Sequence, residues 1–122
     1  MGDSLCILVH RPPYGGIQAA EAVRHLNGAT AQGVEATAIL MGDGVYVARA
    51  GQDPGTTGWT ALSPVLEAAL GGAKAGSSRL LVDGASLHAR GIPAESLIPG
   101  STVVDEQAIA DALSRARWVM VY

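Results

Sequence analysis

The sequence predicts an α/β protein, a three-layer α/β/α sandwich on a mostly parallel sheet of about five strands. Three observations carry this. Apolar runs such as LCILV (Leu5–Val9) and WVMVY (Trp118–Tyr122) are continuous rather than alternating, which suits strands covered on both faces. Segments of helical length and composition lie between the runs. Glycine- and proline-rich stretches punctuate the junctions. Strand and helix in alternation mean βαβ units, hence parallel strands with helices on both faces.

Each element follows in order. Leu5–Val9 is the first strand, stopped by His10-Arg11-Pro12-Pro13-Tyr14-Gly15-Gly16. Ile17 to about Gln32 is alanine-rich, with Gln18, Glu21 and His25 spaced as a narrow polar stripe on a helix. Gly28 weakens its end, and Gly33 is the C-terminal stop. Val34–Met41 is a second strand, broken by Gly42-Asp43-Gly44. Val45–Ala48 is apolar and fits a short strand or a helical turn. Gly51–Gly58 is a loop by composition.

Trp59 to about Leu70 is expected to be a helix, with Leu62, Val65, Leu66 and Leu70 on its apolar side and Pro64 in its first turn. Gly71–Ser78 is small and polar, a loop. Arg79–Asp83 is a third strand and Gly84–Arg90 a short helix, stopped by Gly91 and Pro93. Ser101–Val104 fits a fourth strand. Asp105 is an N-cap for a helix over Glu106–Ala116, with acid at its start and Arg115 and Arg117 at its end. Trp118–Tyr122 is expected to be a final buried strand.

The chain has 122 residues and reads as a single domain over 1–122. Apolar residues make up 48% and charged ones only 16%, so part of the surface is expected to be covered by other subunits. The net charge is −3, with one lysine, Lys74, and arginines scattered along the chain. No basic cluster exists, which disfavours binding of DNA or other nucleic acid. No apolar stretch reaches membrane-spanning length, and the amino-terminal run has no basic flank, so the expected location is cytoplasmic. The single cysteine, Cys6, excludes an intrachain disulfide.

In parallel sheets, ligands bind beyond the carboxyl ends of the strands. Three loops lie there: His10–Gly16, Gly42–Gly44 and Asp83–Ala85. HRPPYGG after the first strand, MGDGVYVARAGQ after the second, and SLHARGI after the third resemble the DsrE/DsrF/DsrH family, which includes the Tus sulfur-relay subunits. The resemblance spans nearly the whole chain and is nearest the DsrF/TusC type.

It implies an α/β/α fold and a homo-oligomer (dimer, trimer or hexamer), or a hetero-oligomer with a cysteine-bearing DsrE/TusD-like chain. In the DsrE/TusD type a persulfide-carrying cysteine lies eight residues before the glycine of the Arg-Gly pair. Counted from Gly91, that position is Asp83. A carboxylate cannot accept a persulfide, so the resemblance implies a structural or partner-presenting subunit without catalysis or cofactor of its own.

Read from chemistry alone, the candidates are as follows. Cys6 is either a relocated sulfur carrier or a small filler in a buried strand, and its place between Leu5 and Ile7 favours the filler. Asp83 can be a general base, a cation ligand or the N-cap of the short helix, and the cap is favoured. Gly15 and Gly16 lead into a helix N-terminus and can offer N–H groups to an anion, or simply make a tight turn. Asp43 between two glycines reads first as a turn residue with unusual φ. His10, His25 and His88 show no metal-binding spacing, and no G-x-S-x-G elbow is present. Trp59 and Trp118 are packing or interface residues. The alternative to a sulfur-relay subunit is a homo-oligomeric small-ligand or anion-binding protein. Its crevice would be lined by Tyr14, Gly15, Gly16, Asp43, Asp83 and Ser86.

Overall fold

The computed structural model describes residues 4–71 and 78–122. Five parallel strands form one sheet: β1 (Ser4–Val9), β2 (Glu35–Leu40), β3 (Ser78–Asp83), β4 (Ser101–Val104) and β5 (Trp118–Val121). Their order across the sheet is β4-β3-β2-β1-β5. The helices are α1 (Gln18–Ala31), α2 (Leu62–Leu70), α3 (Gly84–Ala89) and α4 (Glu106–Arg115). Residues 42–48, for which strand or turn was open, form a 3-10 helix. Most of the loop expected at Gly71–Ser78 lies outside the described residues.

The strand order dictates the layers. From β1 the chain steps to β2, β3 and β4 in one direction, then returns past β1 to place β5. Right-handed crossovers taken in one direction put their helices on one face, and reversal puts the next helix on the other. So α1, α2 and the 3-10 helix pack on the face of Ile7, Val9, Ala36, Ala38, Leu40, Leu80 and Val82. Ala36 and Ala38 leave room for α1 side chains Val23 and Leu26 to approach the sheet. Among the described residues the opposite face carries α4 alone, with Ile109 and Ala112 over Cys6, Ile39 and Leu81.

Helix ends follow local chemistry where the sequence supplies it. α1 ends in a Schellman motif: Val34 N–H donates to Ala29 O at 3.0 Å and Gly33 N–H to Thr30 O at 3.1 Å, with Gly33 at φ +78°. Asp105 Oδ1 accepts from Ala108 N–H at 2.9 Å, capping α4 as its sequence foretold.

Two expectations need correction. The helix expected from Trp59 begins at Leu62, with Ala61 as N-cap. Its first N–H groups are taken by a side chain from outside the segment: Gln52 Oε1 accepts from Leu62 N–H at 3.2 Å. The same Gln52 amide donates to Tyr46 O and Arg49 O at 2.8 and 3.0 Å, so one side chain joins the 3-10 helix to α2. The final strand is not buried. β5 is an edge strand, and Trp118, Val119, Met120 and Val121 are 46, 45, 39 and 58% exposed. An apolar run reports a surface that wants covering, and among the described residues nothing covers this one.

Candidate functional site

The three loops at the carboxyl ends of the strands do meet, in part. Gly42, at φ +53°, and Gly44 press the second loop onto the end of β1. A Cβ on Gly44 would stand 2.1 Å from Val9 O, so only glycine fits there. Asp43 itself has no positive φ; the unusual conformation expected of it belongs to Gly42.

Asp83, 7% exposed, ends β3 and caps α3. Its Oδ2 accepts from Ser86 N–H at 3.2 Å and from the Ser86 hydroxyl at 2.5 Å. Ser86 Oγ in turn accepts from Gly42 N–H at 2.9 Å. Arg90 closes the arrangement, donating from Nε to Asp43 Oδ1 at 3.0 Å and from a terminal nitrogen to Ser86 O at 3.2 Å. Asp83, Ser86, Gly42, Asp43 and Arg90 thus form a clasp whose polar groups satisfy one another. Such a network fixes the loop after β2 against α3. Arg90 was legible only as part of SLHARGI; its ion pair with Asp43, 47 residues away, had no local signal.

Tyr14, Gly15 and Gly16 do not join that clasp. Tyr14 lines a separate apolar depression of about 260 Å³ with Pro12, Pro13, Tyr46, Arg49 and Gln52. Its hydroxyl is buried without a hydrogen-bond partner among the described residues. Gly15, at φ +90°, turns the chain toward α1, whose N-cap, Ile17, supplies no side-chain hydrogen bond. The crevice expected to hold all six residues is therefore two places. Beside Asp83, a cleft of about 440 Å³ runs between Gly84 and Ala85 on one side and Val104, Asp105 and Glu106 on the other.

The strand order has one reversal, between β1 and β5, where a parallel sheet opens its natural crevice. Here Tyr122 fills it. Its N–H donates to Leu8 O at 2.8 Å and its carbonyl accepts from His10 N–H at 3.0 Å. Its hydroxyl is hydrogen-bonded to His25 Nδ1. Burial holds the Tyr122 phenol above its ordinary pKa, with the Glu21 charge adding to the effect.

Cys6 lies at the other end of the sheet, 3% exposed, with its Sγ 3.5 Å from Ala112 O. Burial pushes its thiol above the ordinary value, while the Arg79 and Arg115 guanidiniums pull it back. Among the described residues, no three His, Cys, Asp or Glu side chains are grouped to hold a metal ion. No helix there is long and apolar enough to cross a membrane.

The fold has known relatives. The ychN protein from E. coli is 21% identical over 100% of both chains, with a TM-score of 0.79. A protein of unknown function from Methanobacterium thermoautotrophicum, MTH1491, is 11% identical over 97% of this chain and 98% of that one, with a TM-score of 0.68. No curated protein matches. The family model for DsrE/DsrF-like proteins matches residues 3–122. On that match, which takes in every strand, helix and loop described above, the chain belongs to the DsrE/DsrF-like family.

Proposed function

We propose that this chain is a subunit of a sulfur-relay type assembly, of the DsrF/TusC kind, that carries no persulfide itself and presents a cysteine-bearing relative. One observation carries the reading. The position that resemblance assigns to the sulfur-carrying cysteine holds Asp83, and that carboxylate is buried and committed to capping α3. The lone thiol, Cys6, lies inside the sheet and is held in its protonated form by burial.

A presenting subunit needs a docking face, and β5 supports one. It is an edge strand with apolar side chains bare on both sides of the sheet. Isolated monomers blunt such edges with charge, proline or bulges, and Trp118–Val121 has none of these. The occupant proposed is a second chain of this fold. An open strand edge pairs with another strand edge, and four exposed apolar side chains supply the apolar centre that such a contact needs.

The test is co-expression of the tagged chain with a cysteine-bearing DsrE-like chain of the same genome, followed by size-exclusion chromatography with light scattering. A stable complex, lost on Val121→Glu, is the expected result. A monomer indifferent to every such relative would end the reading.

A further inference from the structure

The α4 face of the sheet is only partly covered, and the uncovered part has its own chemistry. Register places Cys6, Thr37 and Arg79 side by side on β1, β2 and β3. One row further along each strand, Leu8, Ile39 and Leu81 are apolar and, with Cys6, belong to the cluster under α4. The polar row lies where α4 stops. There Arg115 and Ala116, with the row beneath, enclose a cleft of about 330 Å³. That volume is at the small end of ligand-binding pockets.

Charge decides what fits. Two guanidiniums, Arg79 from the sheet and Arg115 from the helix, line one cleft with a single carboxylate, Glu35. Neither arginine has a carboxylate within salt-bridge distance among the described residues. Two guanidiniums against one carboxylate leave a net positive charge among the described residues of the cleft, and an anion relieves it. Planar guanidinium forks are suited to oxyanions. The C-terminal end of α4 opposes an anion rather than helping it, so recognition falls to the arginines. Leu5, Ala112 and Ala116 supply an apolar wall.

We propose that this cleft, at the amino-terminal end of the strands, binds a small oxyanion between Arg79 and Arg115, with Thr37 and the Cys6 thiol on its floor. The site lies at the opposite end of the sheet from the Asp83 clasp and does not depend on the assembly proposed above. Glu35 on its rim opposes any anion, so removing its charge should strengthen binding.

Isothermal titration of the whole protein tests this, with sulfate, phosphate, acetate and succinate at constant ionic strength. Saturable binding by the inorganic anions marks a free-oxyanion site. Saturable binding by acetate in preference to sulfate marks a carboxylate borne on a small molecule. Arg79→Gln and Arg115→Gln should each weaken binding by about ten-fold or more, the loss of one charge-assisted contact. Glu35→Gln should tighten it, and Arg11→Gln, on a distant loop, should leave it unchanged. The general stabilisation that sulfate gives all proteins by exclusion is unsaturable and blind to these substitutions. No saturable binding by any of the four anions, or binding equally strong in both arginine variants, would overturn the proposal.

Discussion

Replacing Asp83 by alanine tests whether this carboxylate is structural. The side chain accepts two hydrogen bonds through Oδ2, from Ser86 N–H and the Ser86 hydroxyl. Loss of a capping acceptor costs about 1 kcal/mol. Loss of a charge-assisted bond to a hydroxyl adds about 2 kcal/mol, because Asp83 is 7% exposed and little water can replace it. Asp83→Ala should therefore lose about 3 kcal/mol. With a urea m-value near 1.5 kcal/mol/M, the unfolding midpoint falls by about 2 M at unchanged m. Asp83→Asn keeps an acceptor for the cap and should lose about 1 kcal/mol. Ser86→Ala removes the other partner, so the double variant should lose clearly less than the sum of the singles. Equilibrium urea unfolding followed by circular dichroism reads all four proteins. A loss below about 0.5 kcal/mol in Asp83→Ala, the range of ordinary surface changes, would refute the clasp as a stabilising element.

Other outcomes follow from the same geometry. Gly44→Ala should cost about 3 kcal/mol or more, since its Cβ meets Val9 backbone at 2.1 and 2.6 Å, whereas Gly28→Ala, with nothing within 4 Å inside α1, should gain about 0.5–1 kcal/mol; thermal melts separate the two. Gln52→Ala should lose about 2 kcal/mol and speed amide exchange at Leu62 and Ser63, whose N–H groups it accepts; unchanged exchange there would refute its capping role. Cys6 should resist iodoacetamide at neutral pH in the folded protein and react readily in urea. Its folded pKa is raised, so its contribution to stability is full below the unfolded thiol pKa, near 9.0, and declines as pH climbs beyond it; a midpoint flat across that range in wild type and Cys6→Ala alike would contradict this.

Much of the architecture was legible because it rests on local signals. The apolar runs gave all five strands, Gly33 and Asp105 gave two helix ends, and Pro64 fell in the first turn of α2. What failed was non-local. Nothing within Trp59–Ala61 says that the α2 cap comes from Gln52, ten residues before Leu62. An apolar strand reads the same whether a helix or another subunit covers it, so β5 was misplaced in the interior. For the candidate site, the short-range link between Asp83 and Ser86 was readable as a cap three residues long. The separation of Tyr14 from that pair was not, because it depends on how the loop after β1 leans toward Tyr46 and Arg49.

The position of β5 also governs the order in which the protein can assemble. β1 neighbours β2 across a short crossover, but its other edge waits for a strand more than a hundred residues away. Closing that larger loop costs about 1 kcal/mol more in chain entropy than joining β1 to β2. During synthesis, β1 to β3 with α1 and α2 can collapse into a half-layered unit. Its Cys6, Ile39 and Leu81 face then stays wet until α4 and β5 leave the ribosome. Pairing of β1 with β5 joins residues more than a hundred apart in sequence and so comes last in this order. In the interval before it, the growing chain shows both an apolar sheet face and an unpaired central edge to whatever chaperone or neighbour arrives first.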